Sequence, residues 1–171
     1  MIKKLVPWWI EESIPFVESL LRKDMIVYEY GSGRSTIWFA ERVKKIYTVE
    51  YQEKWKNQVE QWAEKKNLKN IDIVFCEQKP SRPYCQTINR VKEKIDFLIV
   101  DGRNRVECYK TALKYLSDKT IVVLDDSQRS KYREVKELLL KDKIEKSWSA
   151  PLRDNGKRSK KTSVFYDNEK E

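Results

Sequence analysis

The chain contains no histidine. That removes a histidine general base, a histidine-based nucleophilic triad and imidazole metal ligands in one step. Its 3 cysteines, Cys76, Cys85 and Cys108, are odd in number and form no C-x-x-C pair, which argues against a disulfide framework or a zinc site and fits a reducing, cytoplasmic setting. A long apolar run is missing as well. The apolar patch near the start is broken by Pro7 and followed by Glu11 and Glu12, so neither a signal peptide nor a membrane span is expected. There is also no long block of like charge: 36 basic and 27 acidic residues are interspersed and leave a net charge of +9. Such an excess favours acidic substrates or polyanions through its field, and reads equally as lysines on solvated helix faces.

Glycine is scarce, with 4 residues, and two of these stand in one short stretch. Ile26-Val27-Tyr28-Glu29-Tyr30-Gly31-Ser32-Gly33-Arg34-Ser35-Thr36 runs from a strand-like segment through a glycine turn into a helix-like segment. Gly31 permits a sharp turn, Gly33 permits close approach of a ligand to the backbone, and Ser35 or Thr36 is the expected N-cap. A strand, a glycine turn and a helix start together make a nucleotide-type ligand site. The third glycine of a dinucleotide fingerprint is replaced by Thr36, while Glu50 ends the next strand-like run where a ribose-binding acid belongs.

Hydrophobic residues make up 40% of 171, enough for one globular domain spanning 1–171, with residues 1–24 as an N-terminal extension and helix. Apolar periodicity predicts helices over about 11–23, 35–44, 53–66, 105–117 and 129–141, and strands over about 26–30, 46–50, 71–76, 96–100 and 120–124. A proline-punctuated loop is expected at 79–84 and a short helical piece at 87–94. Two closing antiparallel strands, at 144–149 and 162–166, flank the turn chemistry of Asp154-Asn155-Gly156. The fold class is therefore α/β: a doubly wound, mostly parallel, three-layer sheet with a C-terminal antiparallel hairpin. Glu29, Glu50, Glu77, Asp101 and Asp125 all fall near strand ends, where such sheets bind ligands.

Glu29-Tyr30-Gly31-Ser32-Gly33, Val49-Glu50, Ile95 to Gly102 and Val122 to Asp126, taken in that order, resemble the class I S-adenosylmethionine-dependent methyltransferases, in particular the small O-methyltransferase-like group whose fourth strand ends in Asp-Gly. The resemblance covers about residues 25–127. It implies a Rossmann-like fold and S-adenosylmethionine as cofactor, with Glu50 at the ribose and Gly31, Ser32 and Gly33 under the methionine part. Glu29 would help place the ammonium end, Glu77 would border the adenine, and Asp101 would face the reacting centre. Metal-dependent relatives combine an aspartate after strand 4 with an acid–amide pair after strand 5, so Asp101, Asp125 and Asp126 become candidate ligands for Mg²⁺ or Ca²⁺. Here no amide follows, and Asp126 or Ser127 reads equally well as a helix cap.

Arg103, Arg105 and Arg129, with Arg82, suit an acidic acceptor, a phosphorylated or carboxylated small molecule such as a phosphosugar or nucleotide, or a glycan precursor; salt bridges to Glu107, Asp125 or Asp126 are the equal alternative. Trp8 and Trp9 read as a plug against the sheet or as a lid. The Trp55, Val59 and Trp62 stripe reads as core, and Lys157 to Lys161 as a solvated loop rather than a nucleic-acid contact. As a strand-end acid, Glu50 is expected to matter for binding and little for folding, whereas a side chain at Gly33 is expected to obstruct the ligand and strain the turn. A non-catalytic binding module and, with less support, a nicotinamide-dependent oxidoreductase remain the other classes on the same fold.

Overall fold

The structure is a computed structural model that describes residues 5–151 and 159–167. One seven-stranded sheet runs in the order β3-β2-β1-β4-β5-β7-β6. Its strands are β1 (Ile26–Tyr30), β2 (Lys45–Glu50), β3 (Ile71–Phe75), β4 (Phe97–Val100), β5 (Ile121–Asp125), β6 (Ile144–Pro151) and β7 (Ser159–Tyr166). The first five pair in parallel; β7 joins β5 antiparallel and closes a hairpin with β6. The turn of that hairpin, with Asp154-Asn155-Gly156, lies outside the described residues, as do Lys157 and Arg158.

Alternation along the strands divides the core into two faces. Tyr28, Tyr30, Leu98, Val100, Val122 and Leu124 pack on one side with residues of α4 (Ser81–Gln86), α5 (Arg105–Ala112) and α6 (Arg133–Leu139). Val27, Phe97, Ile99, Ile121 and Val123 pack on the other with α1 (Ile14–Leu20) and α2 (Arg34–Ala40). A smaller cluster joins Ile37 of α2 to Val59 and Ala63 of α3 (Glu53–Lys65) and to Leu5. A strand covered on both faces needs unbroken apolar character, and β4 and β5 have it. Glu29 breaks this character in β1, fully buried in the middle of the sheet on the α2 side.

Several elements differ in extent from their sequence pattern. The 79–84 segment is a helix from Ser81, because Pro83 lies in its first turn, where no intrahelical N–H is lost. The helical piece after it stops at Arg90 as a 3-10 turn. The expected 129–141 helix is a 3-10 turn, Ser130–Tyr132, followed by α6. The 11–23 helix likewise divides into a 3-10 turn and α1. Gly33 rather than Ser35 or Thr36 is the N-cap of α2, since both hydroxyls donate inward to Glu29.

Strand order reverses between β1 and β4: β2 and β3 lie to one side, β5 and the hairpin to the other. The loops leaving β1 and β4 must diverge there, which opens a crevice at their carboxyl ends.

Candidate functional site

A cavity of about 700 Å³ occupies that crevice. Its floor is the contact between two glycine turns. Gly31, at φ +91, lies so close to Gly102 that a Cβ on it would come within 2.7 Å of Gly102 Cα. A Cβ on Gly102 would in turn strike the Tyr84 hydroxyl and lie 2.9 Å from the Tyr30 carbonyl. The loops after β1 and β4 thus touch through backbone alone, and this brings the glycine turn and Asp101 into one cavity. Gly33 is different. Its φ of 175 is extended backbone open to any residue, and a Cβ there would meet the Trp55 ring alone, at an ordinary 3.5 Å from Nε1. The expected turn strain at Gly33 is therefore absent; the positive φ belongs to Gly31.

Of the expected cofactor, catalytic and metal residues, Gly31, Ser32, Gly33, Glu50, Asp101 and Asp126 line the cavity. Glu50 is buried at the end of β2 and its carboxylate is well occupied. Oε2 accepts from the Ser32 N–H (3.1 Å) and hydroxyl (3.0 Å), and Oε1 from the N–H groups of Tyr51 and Gln52, both at 2.9 Å. Burial pushes its pKa up, against the pull of these donors. A side chain so engaged also helps hold the β2–α3 loop, which a solvated strand end would not do.

Glu29 and Glu77 stand apart from the cavity lining. Glu29 accepts from the hydroxyls of Ser35 and Thr36, each at 2.5 Å, and Thr36 Oγ1 in turn accepts from the Gly33 N–H at 2.9 Å. Its burial raises the pKa to about 7. From there Glu29 acts on the glycine turn from beneath, through Ser35 and Thr36. Glu77 is exposed after β3, the outermost strand, two strands removed from the reversal point. Glu77 thus lies away from the cavity lining, and its place beside the adenine stands as an expectation.

The metal reading is corrected. Among the described residues no group of three His, Cys, Asp or Glu is arranged to hold an ion. The three aspartates are instead held by the protein's own cations and donors. Asp101 accepts from Arg105 Nη2 at 3.0 Å and from the Trp9 indole N–H at 3.2 Å. Asp125 accepts from Thr162 at 2.7 Å and pairs with Lys160 at 2.8 Å. Asp126 pairs with Arg129 at 2.5 Å and lies 3.9 Å from Arg105. Arg105 is buried and also donates to the carbonyl oxygens of Asp101, Gly102 and Asp125. A guanidinium therefore fills the space between the strand ends. Neither Asp126 nor Ser127 caps α6; Asp126 adopts φ 55, and Ser127 bonds to Ser163. Burial and neighbouring Asp125 raise the Asp101 pKa to about 6, while Arg105 and Trp9 pull it down.

The two N-terminal tryptophans have separate places. Trp9 is buried against Phe39, as a plug should be, and its indole reaches Asp101. Trp8 is 63% exposed, lines the cavity and stacks on Trp55 at 6.0 Å. Trp62 and Val59 belong to the core side of α3, but Trp55 belongs to the cavity, donating to the Ser32 carbonyl at 2.8 Å. Arg82 lies outside the cavity, while Arg103, Arg105 and Arg129 line it. Lys160, read in the sequence as part of a solvated loop, folds back onto Asp125 and the Trp8 carbonyl. Sequence reasoning missed Arg34, Tyr51, Asn104 and Lys131 in the lining. Arg34 carried a usable signal, since it directly follows the glycine turn.

A family model described as a methyltransferase domain matches residues 28–127. No curated protein sequence matches the chain. Among solved structures, an rRNA methylase from Streptococcus thermophilus superposes with a TM-score of 0.71 at 17% identity, covering 98% of both chains. The O-methyltransferase TomG from Streptomyces achromogenes, in complex with SAM, gives 0.69 at 18%, covering 91% of this chain and 81% of its own. A Streptococcus mutans protein in complex with SAH gives 0.66 at 19%, covering 94% and 99%. At such identities these likenesses speak for the fold. The family match spans more than half the chain and includes the glycine turn, Glu50, Asp101 and Asp125 together. The chain belongs to the methyltransferase-domain family, of the class I, S-adenosylmethionine-dependent type.

Proposed function

We propose that the chain binds S-adenosylmethionine in the cavity at the β1–β4 reversal and transfers its methyl group to a small acidic acceptor. The observation that carries this reading is the convergence on one cavity of the glycine turn, Glu50 and Asp101, all within the family match. The residues present fit the cofactor: a backbone turn in the cavity wall, a carboxylate at the end of β2, and the aromatic rings of Tyr51 and Trp55 beside it. Bound there, the cofactor supplies an electrophilic methyl on a sulfonium, which needs no covalent help from the protein.

The chain's own groups then have defined tasks. Gly31, Ser32 and Gly33 present backbone beneath the methionine part. Glu50 receives the ribose hydroxyls, and of its present donors only the Ser32 hydroxyl belongs to a rotatable side chain able to yield. Asp101, with its pKa near 6, is ionised above that pH and accepts the proton of an acceptor hydroxyl. Arg105 and Trp9 fix the Asp101 carboxylate in place. Trp8 and Trp55 wall off water, and the remaining work is alignment of the acceptor for in-line attack.

Thermal-shift measurements with S-adenosylmethionine, S-adenosylhomocysteine, NAD and NADP test the cofactor class, since a native-state ligand raises the melting temperature by mass action. A shift with NAD and none with S-adenosylhomocysteine defeats the reading. With an acceptor in hand, turnover should rise with pH through about 6 as Asp101 ionises, and Asp101→Asn should flatten that limb.

A further inference from the structure

The two edges of the sheet are built differently. β6, at one edge, carries Lys146 and ends in Pro151, a charge and a missing N–H that discourage another strand from pairing there. β3, at the other edge, reads Ile-Asp-Ile-Val-Phe, with no lysine and no proline. Its one charged side chain, Asp72, is tied to Arg90. No residue of β3 is fully buried, and Phe75 is 45% exposed. Beside the strand, Val59, Ala63, Ile71 and Ile73 form the apolar part of a groove of about 230 Å³.

The ladder to β2 decides which backbone groups of β3 are left over. The Asn70 carbonyl accepts from the Ile46 N–H, and the Cys76 N–H donates to the Glu50 carbonyl, so the even-numbered residues turn toward β2. Ile71, Ile73 and Phe75 therefore point their N–H and C=O groups out of the sheet edge. By alternation the same three share one face of the strand, the face on which Ile71 and Ile73 pack toward α3.

We propose that two copies of this chain pair antiparallel through β3, joining their sheets into one about a twofold axis at Ile73. This register sets Ile73 opposite the partner's Ile73 and Ile71 opposite the partner's Phe75, each pair exchanging two main-chain hydrogen bonds. Every such pair is apolar and lies on the α3 face, so Phe75 is covered by the partner's Ile71 beside the groove. Just beyond the strand ends, Lys69 meets the partner's Glu77, twice by symmetry. Both side chains are exposed, and neither forms an ion pair among the described residues. Sliding the partner by two residues either way loses this match, because Lys69 then faces the partner's Phe75 or Lys79.

Analytical ultracentrifugation of the full chain at micromolar concentrations should show a species of twice the 20.6 kDa chain mass. Lys69→Glu and Glu77→Lys each turn both opposed pairs into like charges, and either alone should weaken the dimer by about 10-fold or more. Mixed one to one, the two variants again set an acid opposite a base at both ends, so the mixture should regain wild-type affinity. The double variant should regain it too. Both positions are exposed, and melting curves confirm that each variant is folded. A monomer throughout overturns the proposal and would leave the edge to another occupant, residues 1–4 or a different protein. A dimer that both charge reversals leave unchanged also overturns it, as does one whose mixture stays as weak as the single variants, because the contact then lies elsewhere.

Discussion

Gly31→Ala is expected to be among the most damaging single-methyl additions in this protein, and the two glycines of its turn should behave in opposite ways. At Gly31 the new Cβ would lie 2.7 Å from Gly102 Cα and 2.9 Å from Gly102 N, both backbone atoms that cannot swing aside. Overpacking of this kind costs about 1–3 kcal/mol. The φ of +91 adds the left-handed penalty of an L side chain, about 1–2 kcal/mol. Together the loss is roughly 2–5 kcal/mol, or about 4–20 °C in melting temperature at this chain length. Gly102→Ala meets the Tyr84 hydroxyl and the Tyr30 carbonyl, and should fall in the overpacking range alone. Because Gly31 and Gly102 touch, the double variant should cost less than the sum of the two. Gly33→Ala, with φ 175 and its nearest contact at 3.5 Å, should stay within about 1 kcal/mol of wild type. Its effect should appear in S-adenosylhomocysteine affinity, since its Cβ stands in the cavity wall. Urea melts of the four variants beside calorimetric titrations provide the comparison. Gly31→Ala melting with wild type, or Gly33→Ala losing as much as Gly31→Ala, would refute the back-to-back glycine account of the cavity floor.

Three further outcomes are expected. Glu29, raised to about 7 from 4.5 by burial, binds its proton more tightly folded than unfolded, so it makes stability fall as pH rises from 4.5 to 7, by at most about 3 kcal/mol. Glu29→Gln should lose that part of the slope in melts across this window, and an unchanged slope would place the titration elsewhere. Glu50→Gln should weaken S-adenosylhomocysteine by about 10- to 150-fold, because a charge-assisted acceptor is lost. Contrary to the sequence expectation, it should also lower the melting temperature, since the new amide N–H₂ would face the N–H groups that Glu50 now receives, an effect partly offset by relief of a buried charge; identical affinity would put the ribose elsewhere. EDTA should leave the melting temperature unchanged, because Arg105, Arg129 and Lys160 already neutralise Asp101, Asp126 and Asp125; a drop restored by Mg²⁺ would overturn that pairing.

The sequence by itself determined the architecture and the approximate place of the site. Short, nearly unbroken apolar runs alternating with amphipathic segments leave little choice but a parallel sheet, and the scarcity of glycine made the Gly31–Gly33 turn conspicuous. Those are local signals: they depend on backbone freedom and on which residues must be covered. What the sequence did not show is which carboxylates are spent. Asp101, Asp125 and Asp126 read as a metal cluster along the chain because acids near strand ends share a chemistry. Only the folded arrangement brings Arg105 and Lys160, from a helix start and a hairpin strand, into the space between them. Glu29 and Glu77 were likewise indistinguishable from Glu50 in a strand-end pattern. Strand order separated them, leaving Glu77 on the outer edge and pointing Glu29 into the α2 side of the core. Arg34 and Trp8 became visible as parts of one cavity through a contact spanning 26 residues, a long-range pairing set by packing and not by any local propensity.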